Sequence, residues 1–257
     1  MTKPWNVDLT GKVAVITGGS RGMGLAIADA YAACGANVVI ASRKEAPCVE
    51  AARALNETYG VNCLGLACHV GDWGQCDALI EQVIAHYGRL DILVNNAGMS
   101  PLYDELANVS EALFDKVIAV NARGPFRLSS LAGTHMAANE GGVIINVSSI
   151  AAVQPTPNEL PYAMAKSGLN TMTISMARAF GPKVRVNCIM PGPFLTDIAK
   201  AWDMEEFNVR AANTIPLQRG GEPDEVVGAA LYLASDLSSY TTGAVIKIDG
   251  GSAFAPG

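Results

Sequence analysis

The sequence predicts an α/β protein: one parallel, doubly wound sheet of about seven strands with helices on both faces, in a single domain over residues 1–257. Three observations carry this. Short apolar runs alternate with amphipathic stretches along the whole chain, joined by short connections. The runs are continuously apolar rather than alternating, as strands buried on both faces are. The first run is followed at once by a glycine-rich turn and a helical pattern.

Composition narrows the function. The chain is half hydrophobic, 6% aromatic and carries a net charge of −6. That balance, with basic residues scattered, argues against a nucleic-acid partner. No apolar run approaches the ~18 residues of a membrane span, and the N-terminal stretch lacks the apolar core of a signal peptide. Six cysteines without a Cys-x-x-Cys pair, mostly in apolar stretches, read as reduced thiols of a cytoplasmic protein. The three histidines have no metal-ligand spacing, so no metal is expected.

Val13-Ala-Val-Ile-Thr17 is read as the first buried strand. Behind it, Gly18, Ser20, Arg21, Gly22, Met23 and Gly24 form the turn into a helix that runs through Cys34. Glycines there let the backbone turn tightly and approach a pyrophosphate seated on the helix N-terminus, so the expectation is a dinucleotide. The second strand, Asn37-Val-Val-Ile-Ala41, ends in Ser42-Arg43, where an NAD site would carry Asp or Glu for the ribose 2′-hydroxyl. With no carboxylate to repel a 2′-phosphate, and with Arg43 and Arg21 to bind one, NADP(H) is preferred and NAD(H) remains possible.

A helix is expected from about Pro47 to Tyr59, a third strand over Cys63–Cys68, and a helix from Asp72, as its cap, to Tyr87. Asp91-Ile-Leu-Val94 is the fourth strand. Asn95-Asn96-Ala97-Gly98 follows at its C-terminal end, where open α/β sheets bind ligands. A long helical stretch, capped by Ser110, runs from Glu111 towards Asn139 with Pro125 inside it. Having no N–H, Pro125 frees the carbonyl of Asn121 four residues back, which is expected to bond water.

Gly142–Val147 is the fifth strand, ending in Ser148-Ser149, and a Pro-rich loop leads to a helix from Tyr162 to about Phe180. On that helix Tyr162 and Lys166, four residues apart, share one face. A free phenol titrates near ~10. An ammonium ~4 Å away, at an effective dielectric of ~20, is worth about 4 kcal/mol, or about three pKa units favouring phenolate. Tyr162 is therefore expected to titrate near neutrality and to exchange a proton with a substrate oxygen.

Val184–Ile189 is the sixth strand, followed by Met190-Pro191-Gly192-Pro193. Residues 193–219 carry exposed-looking apolar groups (Phe194, Leu195, Trp202, Met204, Phe207, Ile215 and Leu217) and read as a substrate lid. A helix from Glu222-Pro223 to Ala234 and a seventh strand, Ala244–Ile248, complete the chain.

Taken in order, Thr17-Gly18-x-x-x-Gly22-x-Gly24, Asn95-Asn96-Ala97-Gly98, Asn121, Ser149, Tyr162-x-x-x-Lys166 and Pro191-Gly192 resemble the short-chain dehydrogenase/reductase family over nearly the full length. The resemblance implies a Rossmann-like fold and an NAD(P)-dependent oxidoreductase that acts on a carbonyl or secondary alcohol of a mostly apolar small molecule. It implies Tyr162 as acid or base, and Lys166 as the group that lowers the tyrosine pKa and holds the nicotinamide ribose. Ser149, thirteen residues before the tyrosine and so chosen over Ser148, steadies the reacting oxygen. The Asn121 carbonyl holds a water linked to Lys166. Asn95, Ala97 and Gly98, the backbone after Pro191 and Gly192, and Thr196 complete the cofactor site.

His69 stands where many members carry an acidic residue against adenine, with Val70 beside it contributing through its backbone. The reading Ala138-Asn139-Glu140-Gly141 lacks the basic residues with which bacterial acyl-carrier-protein reductases dock their carrier. Two alternatives accompany the reading: a 3-oxoacyl-thioester reductase, and a cofactor-binding sensor or scaffold without turnover. The resemblance, with a Tyr162 helix apolar around its circumference, implies a homotetramer.

Overall fold

A computed structural model of the chain describes residues 6–196 and 203–253. Seven strands form one sheet: β1 (Val13–Thr17), β2 (Asn37–Ser42), β3 (Leu64–Ala67), β4 (Ile92–Asn95), β5 (Gly142–Val147), β6 (Val184–Pro191) and β7 (Val245–Ile248). Their order is β3-β2-β1-β4-β5-β6-β7, with parallel pairing throughout. From β1 the chain winds outward through β2 to β3, and from β4 it winds the other way to β7. The reversal between β1 and β4 leaves a crevice at their C-terminal ends, where such sheets bind ligands.

The eight helices among the described residues are α1 (Gly22–Ala33), α2 (Glu45–Tyr59), α3 (Trp73–Tyr87), α4 (Glu111–Ile118), α5 (Gly124–Ala138), α6 (Leu160–Phe180), α7 (Met204–Thr214) and α8 (Val227–Ala234). Alternate strand residues feed two cores. Ala14 and Ile16 of β1 pack with Ile27 and Tyr31 of α1, Leu55 of α2 and Leu233 of α8. Val13 and Val15 pack on the other face with Leu79 of α3, Leu128 of α5 and Met176 of α6. Burial on both sides explains why the strands read as unbroken apolar runs.

Local chemistry sets the ends. Asp72 caps α3 by accepting from Gln75 N–H at 3.0 Å, and Ser110 caps α4 through Leu113 N–H at 3.2 Å. The long helix expected from Glu111 to Asn139 is divided: a π turn over Ala119–Arg123 separates α4 from α5, with Gly124 N–H bonded to Ala119 O. Pro125 thus lies in the first turn of α5, where its missing N–H is tolerated. The expected helix after Glu222 begins as a 3₁₀ turn over Pro223–Val226 before α8.

The segment after β6 differs from its reading. Phe194, Phe207 and Ile215 are buried, the last two with Ala211 and Leu195 in a small core of their own, whereas Met204 and Leu217 are exposed. The apolar groups had looked exposed because sequence alone could not show that α7 folds back on Leu195. Trp202 lies outside the described residues.

Candidate active site

The site starts at the turn between β1 and α1. Gly22 has φ +54°, a left-handed conformation that favours glycine. A Cβ on Gly24 would run into the Gly18 carbonyl and the Asn96 amide. The turn is bolted to the loop after β4: Asn96 Nδ2 donates to Thr17 O at 2.9 Å, and the Asn96 and Ala97 N–H groups share Thr17 Oγ1 at 3.1 Å each. Arg21, at the N-cap of α1, gives no side-chain cap bond, and the first turn holds no acid. The orphan N–H groups therefore open on a cradle without side-chain bulk, which fits the pyrophosphate of a dinucleotide.

Beside the turn, Ser20 Oγ donates to Ser42 Oγ at 3.1 Å, and Ser42 Oγ lies 2.9 Å from Cys48 Sγ. Arg21, next to Ser20, and Arg43, next to Ser42, are exposed, so two hydroxyls and two basic residues belong to the turns at the ends of β1 and β2. Val70 is buried. His69 is braced by Gln75 Oε1, which accepts its N–H at 2.8 Å, and its Nδ1 accepts from Gly71 N–H at 3.1 Å. With Nδ1 engaged as an acceptor, Nε2 is the ring nitrogen left to donate, where a carboxylate would be an acceptor.

The catalytic candidates converge at the other end of the cleft, from β5, the π turn and α6. Asn121 is fully buried; its Nδ2 donates to Met99 O at 2.8 Å and Val117 O at 2.9 Å, and its Oδ1 accepts from Met99 N–H at 3.2 Å. Ser149 Oγ accepts from Ala151 N–H at 3.1 Å and acts on the Tyr162 phenol to favour its ionised form. Ser148 is instead buried, its Oγ donating to Lys166 O at 3.2 Å, so it braces α6. A Cβ on Gly98 would lie 3.0 Å from Asn121 Oδ1 and 3.5 Å from Lys166 Nζ. Gly98 thus leaves the space between those groups open.

One expectation is corrected here. Tyr162 is not pulled down towards neutrality: burial pushes its phenol up to about 12, Ser149 acts the other way and the Glu159 carboxylate adds to the rise. Lys166 lies on the expected face, but its Nζ is 5.6 Å from the ring centroid and donates to Val147 O at 2.7 Å. Burial lowers the ammonium itself to about 8. Helical spacing put the pair on one face, but loss of hydration sets the direction of both shifts.

Asn95 was read as cofactor-binding, yet its side chain lies a layer below the cleft. Its Nδ2 donates to Ser129 Oγ at 2.8 Å and Asn146 Oδ1 at 2.9 Å, and Asn146 Nδ2 donates to Thr173 Oγ1 at 2.9 Å. A strand's alternation points Asn95 and Asn146 towards the helices, while Ala97 and Gly98 remain at the crevice. Across the cleft, Pro191 ends β6 and Gly192 N–H bonds Ile248 O at 3.0 Å. Thr196 Cγ2 comes within 3.4 Å of the Cβ position of Gly22, so Thr196 faces the glycine turn.

Two features escaped the sequence reading. The Val147 carbonyl that anchors Lys166 is a backbone group without a sequence signal. Tyr103 lines a cleft too tight for a water molecule with Pro101, Leu113, Val117, Glu159, Pro161 and Tyr162, and nothing in its loop marked it.

A crevice at the switch point of a parallel sheet, with a bare glycine cradle at one end and a Ser-Tyr-Lys group at the other, defines a nucleotide-dependent oxidoreductase. A family model described as enoyl-(acyl carrier protein) reductase matches residues 18–253. A human relative, dehydrogenase/reductase SDR family member 4, is 34% identical over 246 residues, 95% of this chain and 88% of the relative. A 3-oxoacyl-acyl-carrier-protein reductase of Chlamydia muridarum is 36% identical over 96% of this chain and 100% of its own. Among solved structures, L-sorbose reductase from Gluconobacter frateurii complexed with NADPH and L-sorbose superposes with a TM-score of 0.90 at 32% identity, covering 97% of this chain and 99% of that one. NADPH-dependent 3-quinuclidinone reductase from Rhodotorula rubra gives 0.91 at 30% identity, covering 98% and 96%. The chain belongs to the short-chain dehydrogenase/reductase family, whose fold binds a nicotinamide cofactor.

Proposed function

We propose that this protein is an NADPH-preferring reductase of a ketone, working reversibly on the matching secondary alcohol of a mostly apolar small molecule. The observation that carries it is the convergence of Ser149, Tyr162 and Lys166 at the end of the cleft that begins at the glycine turn. When bound, the nicotinamide supplies or accepts the hydride. At neutral pH a phenol raised to about 12 is protonated, so Tyr162 holds the proton that a reduced carbonyl oxygen needs. Ser149 Oγ–H donates to that oxygen as charge develops. Lys166, still mostly charged below about 8, and the Asn121 carbonyl serve proton supply behind Tyr162. Lys166, Gly98, Pro191, Gly192 and Thr196 would hold the nicotinamide half. Gly18, Gly22, Met23, Gly24 and Ala97 would hold the pyrophosphate half, with His69 and Val70 beside the base.

NADP preference rests on Ser20, Ser42, Arg43 and Arg21 at the turns around the end of β2, with no carboxylate among them; the two NADPH-binding reductases above lend support. Met204 and Leu217, exposed in the segment after β6, support an apolar substrate, and residues 193–219 are read as its lid. A 3-oxoacyl thioester is the second reading, favoured by the Chlamydia relative. Against it, Ala138-Asn139-Glu140-Gly141 after α5 carries no Lys or Arg to dock an acidic carrier. We read the protein as cytoplasmic, its six cysteines being free, and as a homotetramer, because α5 and α6 leave Phe126, Met164 and Ile174 about half exposed.

The test is a panel of ketones, oxoacyl thioesters and alcohols with NADPH, NADH and their oxidised forms, read by nicotinamide absorbance. Turnover of ketones with NADPH supports the reading, turnover of thioesters alone moves it to the second, and cofactor binding without turnover makes the chain a sensor or scaffold. A monomer by sedimentation at micromolar concentration would remove the tetramer.

A further inference from the structure

Tyr103 belongs to the loop between β4 and α4, and the reaction described above makes no use of it. Its phenol donates to Pro157 O at 2.8 Å and accepts Leu160 N–H at 2.8 Å. These two backbone groups bracket the entry to α6, the helix of Tyr162 and Lys166. That entry needs outside help. Glu159, at the N-cap, makes no side-chain cap bond, and Pro161 in the first turn brings no N–H. Thr156 Oγ1 reaches Glu159 Oε1 at 3.1 Å, which braces the preceding turn but not the helix. The hydroxyl of Tyr103 takes the place of a cap, from 57 residues away.

The loop is held at its other end too. Met99 exchanges two backbone hydrogen bonds with the Asn121 side chain. Residues 99–103 therefore run as a strap from Asn121 to the base of α6. Tyr162 is the third residue of that helix, and its ring and that of Tyr103 wall the same cleft.

We propose that Tyr103 is a positioning residue: its phenol latches the first turn of α6 so that the Tyr162 hydroxyl meets Ser149, and it couples the substrate-side loop to the proton donor. The inference rests on Tyr162 being that donor. Tyr103→Phe keeps the ring in the cleft wall and removes both hydrogen bonds. The expected result is a fall in kcat of about ten-fold, the size of a small misplacement of a reacting group, with KM and the NADPH dissociation constant within about two-fold. In a Tyr162→Phe background the same substitution should remove no further activity, because the hydroxyl it positions is already gone. An equal fold loss in both backgrounds, or an unchanged kcat, overturns the proposal and leaves Tyr103 a structural tie.

A second readout does not depend on turnover. With seven tyrosines in the chain, 13C labelling at Cζ and the Tyr162→Phe spectrum assign the Tyr162 signal, which reports hydrogen bonding at its hydroxyl. Tyr103→Phe should shift that signal at pH 8 in the full-length protein, and an unmoved signal overturns the latch. If wild type reduces none of the panel, the reaction assigned above fails while this spectrum still decides the latch.

Discussion

Replacing Lys166 by Met tests the electrostatics of the site directly, because Met keeps the length and discards the charge. Lys166 is 3% exposed and its ammonium is lowered from the ordinary 10.5 to about 8 by burial. At about 1.4 kcal/mol per pKa unit, keeping the buried group charged costs about 3 kcal/mol of folding stability. Below pH 8 the folded and unfolded chains both hold the proton, and the whole penalty is present. Between 8 and 10.5 the unfolded chain binds one proton more than the folded chain, so stability rises with pH. Above 10.5 neither holds it and the penalty has vanished. The variant has no such term but leaves Val147 O without its donor, at a cost of about 1–3 kcal/mol. Near pH 7 the two effects nearly cancel. By pH 11 wild type should have gained about 3 kcal/mol relative to Lys166→Met. Paired urea titrations at pH 7, 8, 9, 10 and 11 measure the difference, in which the ionisation of Tyr31 and other shared groups cancels. A difference that stays flat across this range would mean that the ammonium is not desolvated as the structure shows. Turnover of the variant should be lost at every pH.

Tyr162→Phe should lower turnover by about 10²–10⁴ while cofactor affinity stays within a few-fold, checked by steady-state rates and fluorescence titration; retention of most of the activity would remove Tyr162 as proton donor. Arg43→Ala should weaken NADPH by about ten- to a hundred-fold and leave NADH nearly unchanged; equal losses in the two titrations would mean stacking on the base instead. Gly24→Ala should abolish tight binding of either cofactor, since the added methyl meets the Gly18 carbonyl and the Asn96 amide, and calorimetry on the folded variant checks it. Thr173→Val strips Asn146 Nδ2 of its acceptor and should destabilise the fold by about 1–3 kcal/mol in urea, with cofactor affinity intact if that polar knot is structural.

The fold was legible in the sequence because its signals are local. Apolar runs such as Val13–Thr17 become strands since both faces must be buried, and Gly22 and Gly24 announce the turn because the first holds a left-handed φ and no side chain fits at the second. Asp72 and Ser110 cap helices through atoms three residues away. The spacing of Tyr162 and Lys166 put them on one helical face, and the order of motifs along the chain was enough to suggest the family. Other properties depend on groups distant in sequence, and only the tertiary structure decided them. The protonation of Tyr162 and Lys166 depends on how much water the packed site excludes, so burial reversed the expected shift of the phenol. Asn95 and Asn146 face the helices because of their place in a sheet whose strand order no local pattern encodes. The support that Tyr103 lends to α6 spans 57 residues and exists only because folding lays the loop after β4 against the entry to that helix.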